Sequence, residues 1–480
     1  MKPRTELLHR EKILRDTFTP AETFVFRFTL IICGFAFFYA DPRSGWALGI
    51  YMSAAPLCLA ALKIHESSHP FFIELLWPRF WLICAPIGLL FIQFTAGLAQ
   101  SPLQEIEIAK TTYLSLNAIN PWLPTSTAAQ VNWLPLFSFG ALYLIACNLF
   151  LIPKSRHFFE RLLHSLCRLA IWLAAFGYIQ EALPLEAPLL TPGTGQTDFF
   201  ALFAYDGHWA AFALLWCVTC GAMTLLVLRS EPIHNILKSR GRLYLMGTFL
   251  LGGSGFLVEA RWPAALLLLT FAGVLIQLVG SFWKESHDLH RKKIIFVCAL
   301  GALLALAGST LRILEPSSNI ASAPMLQQAA LQMFLDSPWF GWGAESFQQV
   351  VPFYIDDALV TMRYERANSD LLQFSAEFGL FGIAVAVITL IILMRRYFIG
   401  RTNIKLTNQL LFGCVGLLLM TGLDSPVMSP AVFISFWILF FTALRWADLT
   451  RNRVDEVDAA PRPTFVTPAS QRNVPFVNSR

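Results

Sequence analysis

The chain has 480 residues, 56% of them hydrophobic and 14% charged, with a mean hydropathy of +0.56 and a formal net charge of +5. Soluble domains carry about 25% charged residues, so this composition excludes an ordinary soluble enzyme and points to a membrane protein. The 42 Phe and 14 Trp suit lipid-facing and interfacial positions.

Residues 1–22 form a polar, basic tail, expected in the cytoplasm, with no signal peptide and no trustworthy cleavage pattern after the first apolar run. Runs long enough to span a bilayer then occur at about 24–40, 45–63, 80–98, 133–152, 167–182, 209–228, 243–258, 262–282, 294–311, 375–394, 407–423 and 427–446. The expected fold is therefore all-α: a polytopic membrane domain over 23–446 with about twelve spans. Lys and Arg gather in the even-numbered loops, as at Lys154, Arg156 and Arg161, or Arg395, Arg396 and Arg401, while the odd loops are nearly bare of them. The positive-inside rule then puts both termini in the cytoplasm and the odd loops outside.

Three outward loops are long, at about 99–132, 183–208 and 312–370. The second is rich in Pro and Gly and ends in Tyr205-Asp206-Gly207-His208-Trp209. The third, over 311–370 between spans 9 and 10, carries an amphipathic helix near 323–335, with Leu326, Ala330, Met333 and Phe334 on its apolar side. Asp336 to Gly343 stop that helix, and a loop this long in a compact protein is usually functional. The segment 447–480 is polar, holds four prolines and is expected to be a disordered cytoplasmic tail.

Nine cysteines lie in or beside apolar spans, which argues against a disulfide framework. Cys217 and Cys220 form a CxxC inside a span, where small buried residues are the simpler meaning. Metal-ligand spacing, a phosphate-binding Walker loop and nucleic-acid signatures are absent, and no cofactor is implied. No paired, Gly/Pro-interrupted spans mark a transporter.

Arg261 stands alone as the cation of a tight outward turn, either as an anion ligand or as a partner of Glu259 or lipid headgroups. The glycines of Ser337–Phe347 either let amides approach a phosphate or make a tight aromatic turn. Helical spacing sets Arg366, Asp370, Gln373 and Glu377 on one face at the start of the tenth span. That stripe is either a cap by Asn368 or Ser369 with an Arg366–Asp370 pair, or a site. His208 is a candidate base or an interfacial histidine, and Asp424 fits turn formation.

The run Asp336-Ser337-Pro338-Trp339-Phe340-Gly341-Trp342-Gly343, then Phe347, then Asn368-Ser369-Asp370-Leu371-Leu372-Gln373 and Ala376-Glu377-Phe378-Gly379-Leu380-Phe381-Gly382, resembles the signature region of the O-antigen ligase and polymerase superfamily. The resemblance covers about 330–395, and Arg261 falls where that family places an Arg. The histidine usual before the Ser-Asp pair falls at Asn368, which is no base; a second family Arg falls near Ala323.

The resemblance implies a multi-pass bacterial inner-membrane glycosyltransferase of surface polysaccharide or lipopolysaccharide synthesis. It would move a glycan from a polyprenyl-diphosphate carrier to a lipid or glycan acceptor hydroxyl at the periplasmic face, with no metal and no nucleic acid. It assigns Arg261 and Arg366 to the diphosphate, Asn368 and Asp370 to the acceptor, and Asp370 or Glu377 to the base. A lipid-linked oligosaccharide flippase and a non-catalytic family member are the alternatives.

Overall fold

The computed structural model describes residues 18–38, 53, 60–64, 73–108, 111–116, 120–127, 134–183, 199–230, 241–283, 289–314, 322–355, 364, 366–398 and 404–459. Most of the span expected at 45–63, the Pro/Gly-rich stretch 184–198 and the chain beyond 459 lie outside them.

The helices follow the hydropathy. In chain order they are α1 (Pro20–Phe38), α2 (Ile73–Gly97), α3 (Leu134–Leu151), α4 (Arg156–Glu181), α5 (Asp206–Ser230), α6 (Gly241–Gly253) and α7 (Arg261–Trp283). There follow α8 (Leu289–Leu314), α9 (Ser322–Asp336), α10 (Asp370–Phe398), α11 (Lys405–Thr421) and α12 (Pro430–Ala459). Eight of these contain a stretch long and apolar enough to cross a membrane, and α3 and α11 carry shorter apolar stretches. The chain is thus a helical, multi-span membrane protein. The expected amphipathic helix of the third long loop is α9.

The all-α expectation holds with one addition. Within the first long loop, β1 (Leu103–Ile108) and β2 (Thr111–Leu116) form an antiparallel hairpin in which Leu103 faces Leu116 and Ile108 faces Thr111.

The expected tail at 447–480 is corrected in part, because α12 runs on to Ala459. Residues 447–459 contain no Pro or Gly to stop it. Trp446 and Ala447 are buried, and Arg451 Nη2 donates to Tyr397 O at 2.7 Å with its guanidinium over the Tyr397 ring.

α5 lies at the centre. Trp209, Phe212 and Trp216 on it are wholly buried, and it packs against α6, α7, α11 and α12. Helices consecutive in the chain alternate in direction, so one end of the bundle collects the starts of α5, α7, α10 and α12 with the ends of α6, α8 and α11. The other end collects the start of α4 and the ends of α3, α10 and α12, where Lys154 N donates to Glu22 Oε1 and Arg445 Nε to Pro153 O.

Candidate functional site

α10 is not a plain helix. Gly379 has φ 63° and ψ −164°, a conformation essentially reserved for glycine, and the helix kinks there. The kink opens two rungs of the ladder, and the segment after α9 closes them. Trp342 N donates to Ala376 O and Gly343 N to Glu377 O, each at 2.9 Å. Leu380 N donates to Pro338 O at 2.7 Å and Phe381 N to Trp339 O at 3.0 Å. Gln93 Nε2 from α2 spans the junction, reaching Phe340 O at 2.6 Å and Phe378 O at 3.1 Å. The segments 338–343 and 376–381 are spliced backbone to backbone, and the glycines at 341, 343 and 379 serve that splice.

Glu377 belongs to the same structure. Its Oε2 accepts from Glu345 N at 3.0 Å and its Oε1 from Gln373 Nε2 at 3.1 Å. Gln373 Oε1 accepts from Ala367 N at 3.3 Å. Asp370, Gln373 and Glu377 are all buried, so the expected polar face exists and points inward. Arg366 is not on it, because the helix begins at Asp370 and Asn368 turns the chain at φ 52° just before. Ser369 takes the capping role: its Oγ accepts from Leu372 N at 3.4 Å and donates to Thr421 O at 3.3 Å. Asn368 contributes its carbonyl, which accepts from Gln327 Nε2 on α9 at 2.9 Å.

Arg366 reaches across to α5. Its Nη1 lies 2.9 Å from His208 Nε2, which also lies 3.1 Å from Ser425 O. The Arg366–Asp370 pair of the sequence reading is replaced by this contact. Asp370 ties instead to the turn between α11 and α12: its N donates to Asp424 O at 3.2 Å and its Oδ2 accepts from Val427 N at 2.6 Å. Asp424 Oδ1 accepts from Ser425 N at 2.7 Å and its Oδ2 from the Tyr205 hydroxyl at 2.8 Å. A Cβ at position 207 would come within 2.4 Å of the Tyr205 ring and 2.7 Å of Asp424 Oδ2, so only Gly207 permits that approach. Asp206 Oδ2 accepts from Glu259 N and Ala260 N, fixing the turn before α7.

Three chain segments, around 205–208, 366–370 and 424–427, thus meet in one cluster holding a buried histidine and three buried carboxylates with the half-buried Arg366 and Tyr205. Burial pushes the Asp424 carboxyl above the usual carboxylate range, against the pull of Ser425 N–H, the Tyr205 hydroxyl and Arg366. Burial, then the Asp424 charge, push the Tyr205 phenol far up, so it remains a donor. Asp370 Oδ1 and Ser425 Oγ are buried with no hydrogen-bond partner, which is costly unless something uses them.

Arg261 is engaged elsewhere. Its Nε donates to Arg312 O at 3.1 Å and its Nη2 to Ile313 O, while its guanidinium lies over Trp262. It caps the carbonyl end of α8, where a cation is favourable. Within the protein its bonds go to these carbonyls and not to Glu259.

From the sequence His208 is a candidate base or an interfacial histidine, Asp424 a turn residue, and Tyr205 has no role of its own. The signal available was Tyr-Asp-Gly-His at a helix start, but only the fold brings it to Arg366. Among the described residues no cluster of His, Cys, Asp or Glu has the arrangement of a metal site, and all eight described cysteines are free. No protein-family model matches the chain, and comparison with curated proteins finds no match.

Proposed function

We propose that this protein is a membrane glycosyltransferase of the O-antigen ligase or polymerase type, moving a glycan from a polyprenyl diphosphate to an acceptor hydroxyl. The observation that carries the reading is Asp370 Oδ1, a buried carboxylate oxygen without a partner, in the same cluster as Arg366. A transfer of this kind needs a base for the hydroxyl and a cation for the departing diphosphate. Asp370 Oδ1 takes the acceptor proton as its oxygen attacks the anomeric carbon. The bond from that carbon to the diphosphate breaks, and the diphosphate leaves with the electron pair against Arg366. Glu377, with both oxygens bonded inside the splice, is the weaker candidate for the base.

The basic residues Lys154, Arg156, Arg445 and Arg451 stand at the opposite end of the bundle. By the positive-inside rule that end is cytoplasmic and the cluster periplasmic, in a bacterial inner membrane with twelve spans and cytoplasmic termini. The stacked, exposed rings of Trp122 and Trp339, 5.1 Å apart, suit an interfacial belt or a sugar at that end.

The test is a strain whose only copy carries Arg366→Ala. Surface glycan should be lost while the protein stays in the membrane. Normal glycan with that variant would sink the reading.

A further inference from the structure

The resemblance expects a histidine at position 368, where this chain has Asn. His208 stands in the cluster from another helix, and its contact with Arg366 limits what it can do. A guanidinium carries donors only, so Arg366 Nη1 can bond His208 Nε2 only when that nitrogen is bare. The ring proton then sits on Nδ1, and Ser425 O is a neighbour of Nε2, not its acceptor. In the other tautomer Nε2–H would donate to Ser425 O and face Arg366 with hydrogen against hydrogen. The two contacts at 2.9 Å and 3.1 Å are therefore mutually exclusive as hydrogen bonds.

The ring is held to allow this. The His208 backbone N donates to Tyr205 O at 3.1 Å, and the Tyr205 ring meets the imidazole edge-on with centroids 5.1 Å apart. Tyr205 is itself fixed by Asp424. The charged and titratable groups in contact with the ring are Arg366 and Tyr205, with Asp424 held behind Tyr205. A lone pair already filled by Arg366 is not free to deprotonate a hydroxyl.

We infer that His208 is a positioning residue: a neutral hydrogen-bond acceptor that aims Arg366 at the diphosphate, not the base that the resemblance would place at position 368. The inference rests on the glycosyl-transfer reading, which gives Arg366 its ligand. The acceptor is reproduced by a glutamine, whose Oε1 reaches about as far as Nε2. It is withdrawn by an asparagine, which ends near the place of Nδ1, and by a leucine.

The test is binding of geranylgeranyl diphosphate to the full-length protein in detergent, for the wild type and for Arg366→Ala, His208→Gln, His208→Asn and His208→Leu. Each variant is first checked for monodispersity and thermal midpoint, and His208→Asn stands in should His208→Leu not fold. His208→Gln should bind within about threefold of wild type, while His208→Asn and His208→Leu weaken binding about tenfold, the size of one charge-assisted hydrogen bond. Adding His208→Leu to Arg366→Ala should cost nothing further, because the histidine acts through the arginine. Loss with Arg366→Ala but wild-type binding with both His208→Asn and His208→Leu would overturn the inference alone, as would equal loss with His208→Gln. Wild-type protein that does not bind the diphosphate, or binds it equally with Arg366→Ala, would overturn the functional reading beneath it.

Discussion

Tyr205 donates its hydroxyl to Asp424 Oδ2 at 2.8 Å, joining the approach to α5 with the turn before α12 across 219 positions of sequence. Asp424 is buried there and its carboxyl is raised. The folded protein therefore holds a proton at this site over a pH window in which the unfolded chain does not. The stability it contributes is full below the unfolded carboxylate pKa of about 3.9 and is lost as pH rises through the folded value. Asp424→Asn has no such dependence. The thermal midpoint of the wild type minus that of Asp424→Asn, measured in detergent, should fall as pH rises above about 4. A difference that stays flat or rises would contradict this account of the cluster.

Arg261 closes the end of α8 through two carbonyls. Arg261→Ala should cost about 1 kcal/mol, the size of an ordinary net hydrogen bond at a partly exposed position, read as a lower thermal midpoint. Arg261→Lys should recover part of the loss, since one ammonium cannot span both carbonyls as a planar fork does. Equal midpoints for wild type and Arg261→Ala would remove the capping role.

A side chain at 379 would put Cβ 2.6 Å from Trp339 O, with φ in the left-handed region. Gly379→Ala should therefore cost at least about 3 kcal/mol and pull the 338–343 segment off α10. Little or no monodisperse protein is expected on gel filtration. A well-folded Gly379→Ala protein would show that the splice is dispensable.

The two buried carboxylates of α10 separate by their bonding. Asp370→Asn should lower glycan transfer by about 10²–10⁴, the usual weight of a general base. Glu377→Gln keeps an oxygen for Glu345 N and should retain transfer within several-fold in the protein that folds. The reverse order, measured as rate per folded molecule, would move the base to Glu377.

Much of the fold was legible because lipid imposes length and apolarity on each helix. The runs at 133–152 and 262–282 fall within a residue of α3 and α7 at either end. α4 begins at Arg156, well before the expected 167, because His157, Glu160, Arg161 and His164 dilute the hydropathy of turns in which Phe158, Phe159, Leu162 and Leu163 are buried. The hairpin was not legible from apolar runs, because a strand such as Leu103–Ile108 mixes polar with apolar residues. At the site, the inward face of Asp370, Gln373 and Glu377 was legible from helical spacing. What they bond was not: the partners of Arg366 and Asp370 lie 158 and 57 positions away, and a single chain carries no sign of which distant turns meet. The glycines of 337–347 read as either phosphate cradle or turn, and hydrogen bonding gives them to the splice.

The central claim is that the cluster of His208, Arg366, Asp370 and Asp424 performs transfer. Its most direct test is the release of polyprenyl diphosphate from lipid-linked glycan by purified protein in vesicles supplied with acceptor. The account predicts release by the wild type and loss of it with Arg366→Ala and with Asp370→Asn. Release unchanged by both substitutions, or glycan crossing the bilayer still joined to its carrier with no diphosphate set free, would contradict it.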